Sequence, residues 1–153
     1  MNSSPVQDRT LRAACPRCQQ QVRVPLARLA DGARCPACKT GLFPGAPIEL
    51  DDGSFDRFVG RSELPVLVDF WAPWCGPCRN FAPVIAQAAA DLSPALLVAK
   101  VNTDLARMLA ARYAIRSIPT VALFRGEREV ARLSGALPLA QLKQWIASQG
   151  VPP

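Results

Sequence analysis

Three Cys-x-x-Cys pairs hold all six cysteines of this 153-residue chain, and no other residues are better suited to chemistry. The third pair, Cys75 and Cys78, follows the apolar run Val66 to Phe70 and precedes a segment with helical periodicity. A sulfur at a helix N-terminus is held more easily as thiolate, the species that attacks disulfides. The spacing therefore predicts a redox dithiol in which Cys75 attacks and Cys78 resolves the intermediate.

The other four cysteines have the spacing of a metal site. Cys15-Pro16-Arg17-Cys18 and Cys35-Pro36-Ala37-Cys38 form the pattern C-x2-C-x16-C-x2-C, which is typical of four-cysteine zinc sites. The chain contains no histidine to replace a ligand. We therefore expect one structural zinc ion held by Cys15, Cys18, Cys35 and Cys38.

Zinc binding supplies folding free energy to segments too small for a large core. We expect a zinc ribbon over residues 11–43, with short strands around Gln19 to Val24 and near Leu42. Two local disulfides or free thiols are the alternative. For the role of the ribbon, a rigid structural or partner-binding platform ranks before a redox switch in which oxidation expels the metal.

Composition limits the classes of partner. The net charge is +6, but the basic residues are scattered, which favours a solvated surface over a nucleic-acid-binding stripe. No stretch approaches the roughly 18 apolar residues of a membrane span, and the first residues lack a basic start followed by an apolar stretch. We therefore expect a cytoplasmic protein without nucleic-acid or membrane partners. In a reducing cytosol, the six cysteines are better explained as metal ligands or redox thiols than as permanent disulfides.

Residues 44–46 form a predicted linker, because proline and glycine disfavour regular structure. Residues 47–153 form the main predicted domain, with the element order βαβαβαββα. This order implies a mixed sheet with helices on both faces. The predicted strands are Ile48 to Leu50, Val66 to Phe70, Ala95 to Val101, Thr120 to Phe124 and Glu129 to Leu133. Four helices are predicted: the first contains Phe55, Phe58 and Val59; the second follows Cys78; the third contains Leu105, Met108, Leu109 and Tyr113; and the fourth runs from Leu139 to Ile146.

Three segments carry a resemblance to a known family. Val68 to Cys78, with the sequence VDFWAPWCGPC, resembles the active-site segment of the thioredoxin family. Ser117-Ile118-Pro119-Thr120 and Ser134-Gly135-Ala136 resemble later signatures of that family, in the right order. The resemblance covers residues 47 to about 149 and implies the thioredoxin fold. With the four-cysteine ribbon in front, the chain resembles the second, zinc-binding type of bacterial thioredoxin.

The resemblance implies a protein-disulfide reductase that a flavin-containing, NADPH-dependent thioredoxin reductase regenerates. The chain has no G-x-G-x-x-G motif, so we expect it to bind neither flavin nor nicotinamide. Cys-Gly-Pro-Cys is the reductase type of active-site sequence, and we expect a monomer that acts on disulfide-containing proteins. A zinc-ribbon interaction or holdase protein that uses this domain as a scaffold is the alternative. An exported oxidase or isomerase would require an export segment.

Asp69 interrupts an apolar strand. A buried carboxylate is costly, so its pKa should rise and the group could exchange a proton with the resolving thiol. A capped surface aspartate is the alternative. The resemblance implies that Asp69 is the buried acid that assists Cys78, and that Lys100 lies near it and tunes it; as an exposed strand residue, Lys100 would have no role.

A substrate-docking surface is also implied by the resemblance. Pro119 matches a cis proline of the family, which exposes backbone groups to a visiting peptide; the sequence alone favours an ordinary trans proline. Trp71 should support the site from the core. The expected docking surface is shallow and apolar and consists of Trp74, Gly76, Pro77, Ile118, Pro119 and Gly135.

Overall fold

A computed structural model describes residues 9–152, which form a small N-terminal strand pair and a larger α/β unit. The N-terminal strands β1 (Thr10–Ala14) and β2 (Gln21–Pro25) pair antiparallel, and a 3-10 turn (Leu26–Arg28) follows. The predicted strand near Leu42 is wrong, because this region contributes only an isolated bridge between Arg34 and Gly41. Leu42 is instead a buried anchor for the cysteine knuckles, and β1 was not predicted because its alanines are poor strand formers.

The larger unit contains a five-stranded sheet in the order β3-β5-β4-β6-β7. β3 and β4 both run parallel to β5, whereas β6 is antiparallel to β4 and to β7. This arrangement confirms the predicted mixed sheet, with the first of its strands at one edge. The strands are β3 (Ile48–Leu50), β4 (Val66–Trp71), β5 (Leu97–Asn102), β6 (Thr120–Arg125) and β7 (Arg128–Ser134).

Within residues 9–152, the four α-helices are α1 (Phe55–Gly60), α2 (Gly76–Leu92), α3 (Arg107–Arg112) and α4 (Leu139–Ser148). α1 and α3 contribute Phe55 and Leu109 to one apolar cluster, whereas α2 and α4 contribute Ile85 and Leu142 to a second. The two clusters lie on opposite faces of the sheet because successive strand side chains alternate between faces. Helices therefore cover both faces, as expected.

The alternation along β4 decides where its polar residue lies. Val66, Val68 and Phe70 belong to the cluster with α1 and α3, and Leu67 belongs to the cluster with α2 and α4. Asp69, two residues after Leu67, must share the face that α2 covers. Lys100 lies opposite Asp69 in the β4–β5 register and has the same orientation.

The N-terminal strand pair packs directly against the larger unit. Leu11 and Ala13 of β1 belong to the same apolar cluster as Phe58 of α1. The Glu63 backbone N–H donates to the Arg12 carbonyl at 2.8 Å, and the two side chains form an exposed ion pair.

No helix among the described residues is long and apolar enough to cross a membrane.

The buried hydroxyl of Ser62 joins the two parts of the molecule. It accepts a hydrogen bond from the Ala14 backbone N–H at 3.2 Å and donates one to the Phe58 carbonyl at 2.9 Å. The hydroxyl therefore links β1 to the C-terminal end of α1 within a shared apolar core.

Candidate redox site and cysteine cluster

Cys75 and Cys78 form a disulfide at the end of the helix nearest to β4. Cys75 is the N-cap residue of α2, Cys78 lies in its first turn, and their Cα atoms are 5.2 Å apart. Cys75 is 5% exposed and Cys78 is 2% exposed. The pair is therefore a preformed disulfide, and Cys75 is the less buried of its two residues.

The helix N-terminus provides the electrostatic environment of the first sulfur. The Cys78 backbone N–H donates a hydrogen bond to the Cys75 sulfur at 3.2 Å. After reduction, this donor and the dipole of the 17-residue helix favour the thiolate form of Cys75. Pro77 fits the first turn of the helix because the backbone N–H that it lacks would have no helical partner there.

Asp69 is a fully buried carboxyl group. Among the described residues, neither of its oxygens has a hydrogen-bond partner. Burial raises the pKa of Asp69 to about 7, although the positive charge of Lys100 acts in the opposite direction. The sequence reasoning expected this rise, and the alternative of a capped surface aspartate is wrong. A carboxyl group with this pKa can accept or donate a proton near neutral pH.

Lys100 lies beside Asp69 but rests on an aromatic ring. Its ammonium nitrogen is 4.4 Å from the Trp71 ring centroid, a cation–π contact, and the two residues are on adjacent strands. Trp71 is half-buried, and within residues 9–152 its indole N–H has no acceptor. Lys100 therefore influences Asp69 through its charge across the strand pair.

The side chains around the disulfide form an open, largely apolar surface. Trp74 is 69% exposed and Pro77 is exposed, whereas Gly76 is half-buried. The Ile118-Pro119 bond is cis, which confirms the expectation from the resemblance, and Pro119 is buried. The Cys75 sulfur lies 3.8 Å from the Ile118 carbonyl oxygen.

Gly135 completes this surface. Its backbone N–H donates to the Pro119 carbonyl at 2.8 Å, and its φ of 95° favours glycine over residues with a side chain. A cavity of about 180 Å³ lies beside the sulfur, lined by Trp74, Thr103, Ile115, Arg116, Ser117 and Ile118. Trp74 and Gly76 thus flank Cys75, the Ile118 carbonyl lies near its sulfur, and Gly135 is connected to this region through Pro119; a role of the expected docking residues in binding remains a prediction.

The four N-terminal sulfurs converge on one point. All four lie within 4.8 Å of one another, and the shortest distances are 3.5 Å for Cys15–Cys38 and 3.7 Å for Cys18–Cys35. Tetrahedral zinc with bonds of about 2.3 Å places its sulfurs roughly 3.8 Å apart. None of the four is disulfide-bonded, so the alternative of local disulfides is wrong. The donor set fits a zinc ion.

The two knuckles have the same backbone geometry. The first cysteine of each accepts at its carbonyl from the residue four positions on, and its N–H donates to the residue five positions on. Gln19 and Lys39, which directly follow the second cysteines, have φ values of 60° and 66°. Burial raises the pKa of the Cys15 thiol to about 12, although hydrogen bonds to its sulfur from the backbone N–H groups of Cys18 and Arg17 act in the opposite direction.

The thioredoxin family model matches residues 46–148, about two thirds of the sequence. The chain belongs to the thioredoxin family. The α/β unit accordingly has the thioredoxin fold, and Cys75 and Cys78 are the redox pair of a disulfide oxidoreductase.

Similar proteins carry the same family name. Thioredoxin C-3 from Corynebacterium nephridii is 44% identical over 135 residues, 88% of this chain and 92% of the relative. Thioredoxin 1 from a Nostoc species is 46% identical over 101 residues, 66% of this chain and 94% of the relative. The chloroplastic Thioredoxin M4 from Arabidopsis thaliana is 41% identical over 122 residues, 78% of this chain and 63% of the relative.

The first of these alignments extends beyond the thioredoxin fold. An alignment over 135 of 153 residues leaves 18 outside it, so it begins no later than residue 19. It therefore includes most of the N-terminal unit and both cysteines of the second knuckle. The alignment with Thioredoxin C-3 thus covers most of the N-terminal unit as well as the thioredoxin fold.

Sequence reasoning missed Asp104 as a residue of this thioredoxin's dithiol surface. Its carboxylate accepts a hydrogen bond from the Trp74 indole N–H at 3.2 Å and so orients the most exposed aromatic ring near the disulfide. The available signal was its position two residues after the end of β5, whose carboxyl end lies beside that of β4. Polar residues at the ends of neighbouring parallel strands meet at one edge of the sheet.

Proposed function

We propose that this thioredoxin is a cytoplasmic protein-disulfide reductase that transfers two electrons from the Cys75–Cys78 dithiol to disulfides of other proteins. The observation that carries this proposal is the position of the Cys75 sulfur at the start of α2, beside an exposed apolar surface. A target polypeptide can approach that sulfur, and the helix favours its reactive form.

The reaction proceeds by two exchanges of sulfur partners. The Cys75 thiolate attacks one sulfur of the target disulfide; a Cys75–target disulfide forms, and the second target sulfur leaves as a thiolate. The Cys78 thiolate then attacks the Cys75 sulfur, forms the Cys75–Cys78 disulfide and releases the first target sulfur. Two electrons and two protons have then passed to the target, and the chain is oxidised.

Asp69 has the chemistry to assist the second exchange. Cys78 must lose a proton before its sulfur can attack, and a thiol this buried resists ionisation. A carboxyl group with a pKa of about 7, on the face of β4 that α2 covers, can accept that proton near neutral pH. Lys100 has the supporting role of lowering the pKa of Asp69 through its charge.

The docking surface brings the target polypeptide to the sulfur. Trp74 and Gly76 adjoin Cys75 in sequence, Pro77 follows Gly76, and the Ile118 carbonyl is 3.8 Å from the Cys75 sulfur. Pro119 and Gly135 support the same surface through their mutual backbone hydrogen bond. Small residues here allow a target backbone to approach closely.

The N-terminal unit is proposed to be a zinc ribbon, which makes this chain a zinc-binding thioredoxin of the second bacterial type. Cys15, Cys18, Cys35 and Cys38 would hold the ion, which would supply folding free energy to a unit with few core residues. We propose a rigid, partner-binding platform as its role, ahead of zinc release on oxidation. The proposed use of the cysteines as metal ligands and redox thiols, and not as permanent disulfides, is typical of a reducing cytosol and supports the proposed location.

The proposed cycle needs one further protein. An NADPH-dependent thioredoxin reductase would return the disulfide to the dithiol, since this chain is proposed to bind neither flavin nor nicotinamide. The proposed targets are disulfide-containing proteins, not nucleic acids, and the working unit is a monomer.

Reduction of insulin by dithiothreitol, followed by turbidity, tests this function against a scaffold or holdase. A catalytic amount of a reductase accelerates the precipitation of the insulin B chain, and the Cys75→Ser substitution abolishes this acceleration. A scaffold produces no acceleration, and a holdase delays the turbidity equally with and without the substitution. Either of the last two results would reject the proposal.

A further inference from the structure

Leu105 and Met108 are large apolar residues whose side chains are exposed to solvent. The sequence pattern predicts them in a helix with Leu109 and Tyr113, but α3 begins only at Arg107. Leu105 is 78% exposed and Met108 is 69% exposed, whereas Ala106 and Leu109 fill the inner side of the same segment. Packing against the sheet therefore explains neither residue, and large apolar side chains exposed one helical turn apart offer a surface for a ligand.

Trp74 connects this pair to the dithiol. It is the residue before Cys75, and its indole N–H donates to Asp104, the residue before Leu105. Among residues 9–152, Val130 is the one other large hydrophobic side chain with high exposure, at 40%. Three of the four such residues thus lie on two segments that the Trp74–Asp104 hydrogen bond joins, and one of these segments leads directly to Cys75. We call Trp74, Leu105 and Met108 the apolar ledge.

The backbone beneath the ledge is held by several hydrogen bonds. The Thr103 N–H and hydroxyl both donate to the Trp71 carbonyl, at 2.8 Å and 3.1 Å. The Asp52 carboxylate accepts from the backbone N–H groups of Met108, at 3.4 Å, and Leu109, at 3.0 Å. A surface fixed in this way loses little conformational entropy when a ligand binds.

The position of the ledge identifies its occupant. A polypeptide whose sulfur bonds to Cys75 brings the residues beside its own cysteine to Trp74 and to the adjoining cavity. Residues a few positions further along that polypeptide can then reach Leu105 and Met108. A small disulfide compound does not extend that far.

We propose that the apolar ledge binds an apolar side chain of the substrate polypeptide, two or three residues from the cysteine that Cys75 attacks. This inference rests on the proposed reductase function and adds a substrate preference to it. Met108 suits such a role, because a flexible thioether adapts to side chains of different shape.

Two synthetic peptides test the preference. Each is closed by one disulfide, and the residues two and three positions outside each cysteine are leucine in one peptide and serine in the other. Pre-reduced protein is mixed with each peptide, the reaction is quenched with acid and N-ethylmaleimide, and intact mass gives the fraction oxidised. The second-order rate constants are compared for the wild type and for Leu105→Gln/Met108→Gln.

The wild type should reduce the leucine peptide about tenfold faster than the serine peptide, the ratio expected when one apolar side chain is partly buried. The double variant should lose this ratio and reduce the serine peptide at the wild-type rate. Val130→Gln, a matched change at the other exposed apolar residue, should retain the ratio, as should the apolar exchange Leu105→Met/Met108→Leu.

Two results would overturn the inference: a wild type that reduces both peptides equally fast, or a double variant that keeps the preference. A double variant that is slower with both peptides to the same extent would also overturn it, because reactivity would then have changed and not docking. If the wild type reduces neither peptide, the proposed reductase function fails, and the inference fails with it.

Discussion

The Cys-x-x-Cys pairs of the N-terminal unit and the pair at α2 have the same spacing but different sulfur neighbours. In the N-terminal unit, the shortest sulfur distances join different knuckles, Cys15 to Cys38 and Cys18 to Cys35. At α2, Cys75 is bonded to Cys78 of its own pair. One spacing thus produces a four-sulfur cluster in one region and a disulfide in the other.

The residue after the second cysteine accounts for this difference. Gln19 and Lys39 adopt left-handed conformations, which end each knuckle and turn the chain away. After Cys78 the chain continues as helix to Leu92, and the helix start holds both sulfurs of the pair together. Backbone context, not spacing, therefore separates the four-sulfur cluster from the redox disulfide in this chain.

The largest expected effect comes from removing one of the four proposed zinc ligands. Cys35→Ser should abolish stoichiometric zinc binding and remove much of the roughly 10 kcal/mol that zinc supplies to small modules. Insulin reduction should remain within about threefold of the wild type, because the dithiol lies on another element. Zinc content by mass spectrometry and amide exchange in β1 and β2 measure the loss. Ala37→Ser, in the same knuckle, is the matched control; equal zinc content in both variants would contradict the assignment.

Removal of the proposed attacking sulfur should lower the reductase activity and leave the zinc content unchanged. Cys75→Ser should lower insulin reduction by on the order of 10³-fold or more, since a lost nucleophile removes most of the rate enhancement. Zinc content should stay at one ion per chain. Turbidity and zinc analysis on the same preparation check both statements. Cys38→Ser is the comparison variant, which should lose zinc and keep its reductase activity. Residual activity above one tenth of the wild type would show that another sulfur attacks.

Asp69 should make the stability of the α/β unit depend on pH. Its native pKa of about 7 is above the ordinary carboxyl value, so between roughly pH 4 and pH 7 the native state binds more protons than the unfolded chain. Stability due to this group therefore falls as pH rises through that window. Asp69→Asn should stabilise the oxidised protein by about 3–4 kcal/mol at pH 8 and by little at pH 4.

Urea unfolding at both pH values measures this change. Asp91→Asn provides a control of opposite sign, because a hydrogen bond from Lys143 lowers the pKa of that exposed carboxyl group. That variant should lose a small amount of stability at pH 8. An Asp69→Asn gain that does not depend on pH would mean that Asp69 is already neutral, or is ionised without cost, across this range.

The smallest predicted effect concerns the junction of the two regions. Ser62→Ala leaves the buried Ala14 N–H without its acceptor and should cost about 1–3 kcal/mol, with faster amide exchange in β1. Glu63→Gln removes the exposed ion pair with Arg12 and should cost less than about 1 kcal/mol. Equal costs from urea unfolding of the two variants would mean that Ser62 does not join the regions.

Much of this organisation could be predicted from sequence, because the spacing of apolar residues indicates the strands and helices. The run Val66 to Phe70 identified a buried strand, and its one acidic residue, Asp69, was expected to have a raised pKa. The order of strands and helices after residue 47 was also correct. These features depend on local patterns, which tertiary contacts reinforce in this fold.

What escaped prediction depends on tertiary contacts. β1 consists of Thr10-Leu11-Arg12-Ala13-Ala14, which has little strand propensity and is held by pairing with β2 and by packing on α1. Leu105 and Met108 match helical spacing, but Ala106 and Leu109 take the inner positions. No local pattern shows which of two apolar sets will face the core.

Differential alkylation of the reduced, zinc-loaded protein tests the central claim most directly. Native protein is treated with light iodoacetamide, then denatured with a chelator and treated with the heavy reagent, and peptides are mapped. The account predicts light label on Cys75, with slower labelling of Cys78, heavy label on Cys15, Cys18, Cys35 and Cys38, and one zinc per chain. Six cysteines with equal light label, or a preparation without zinc, would contradict it.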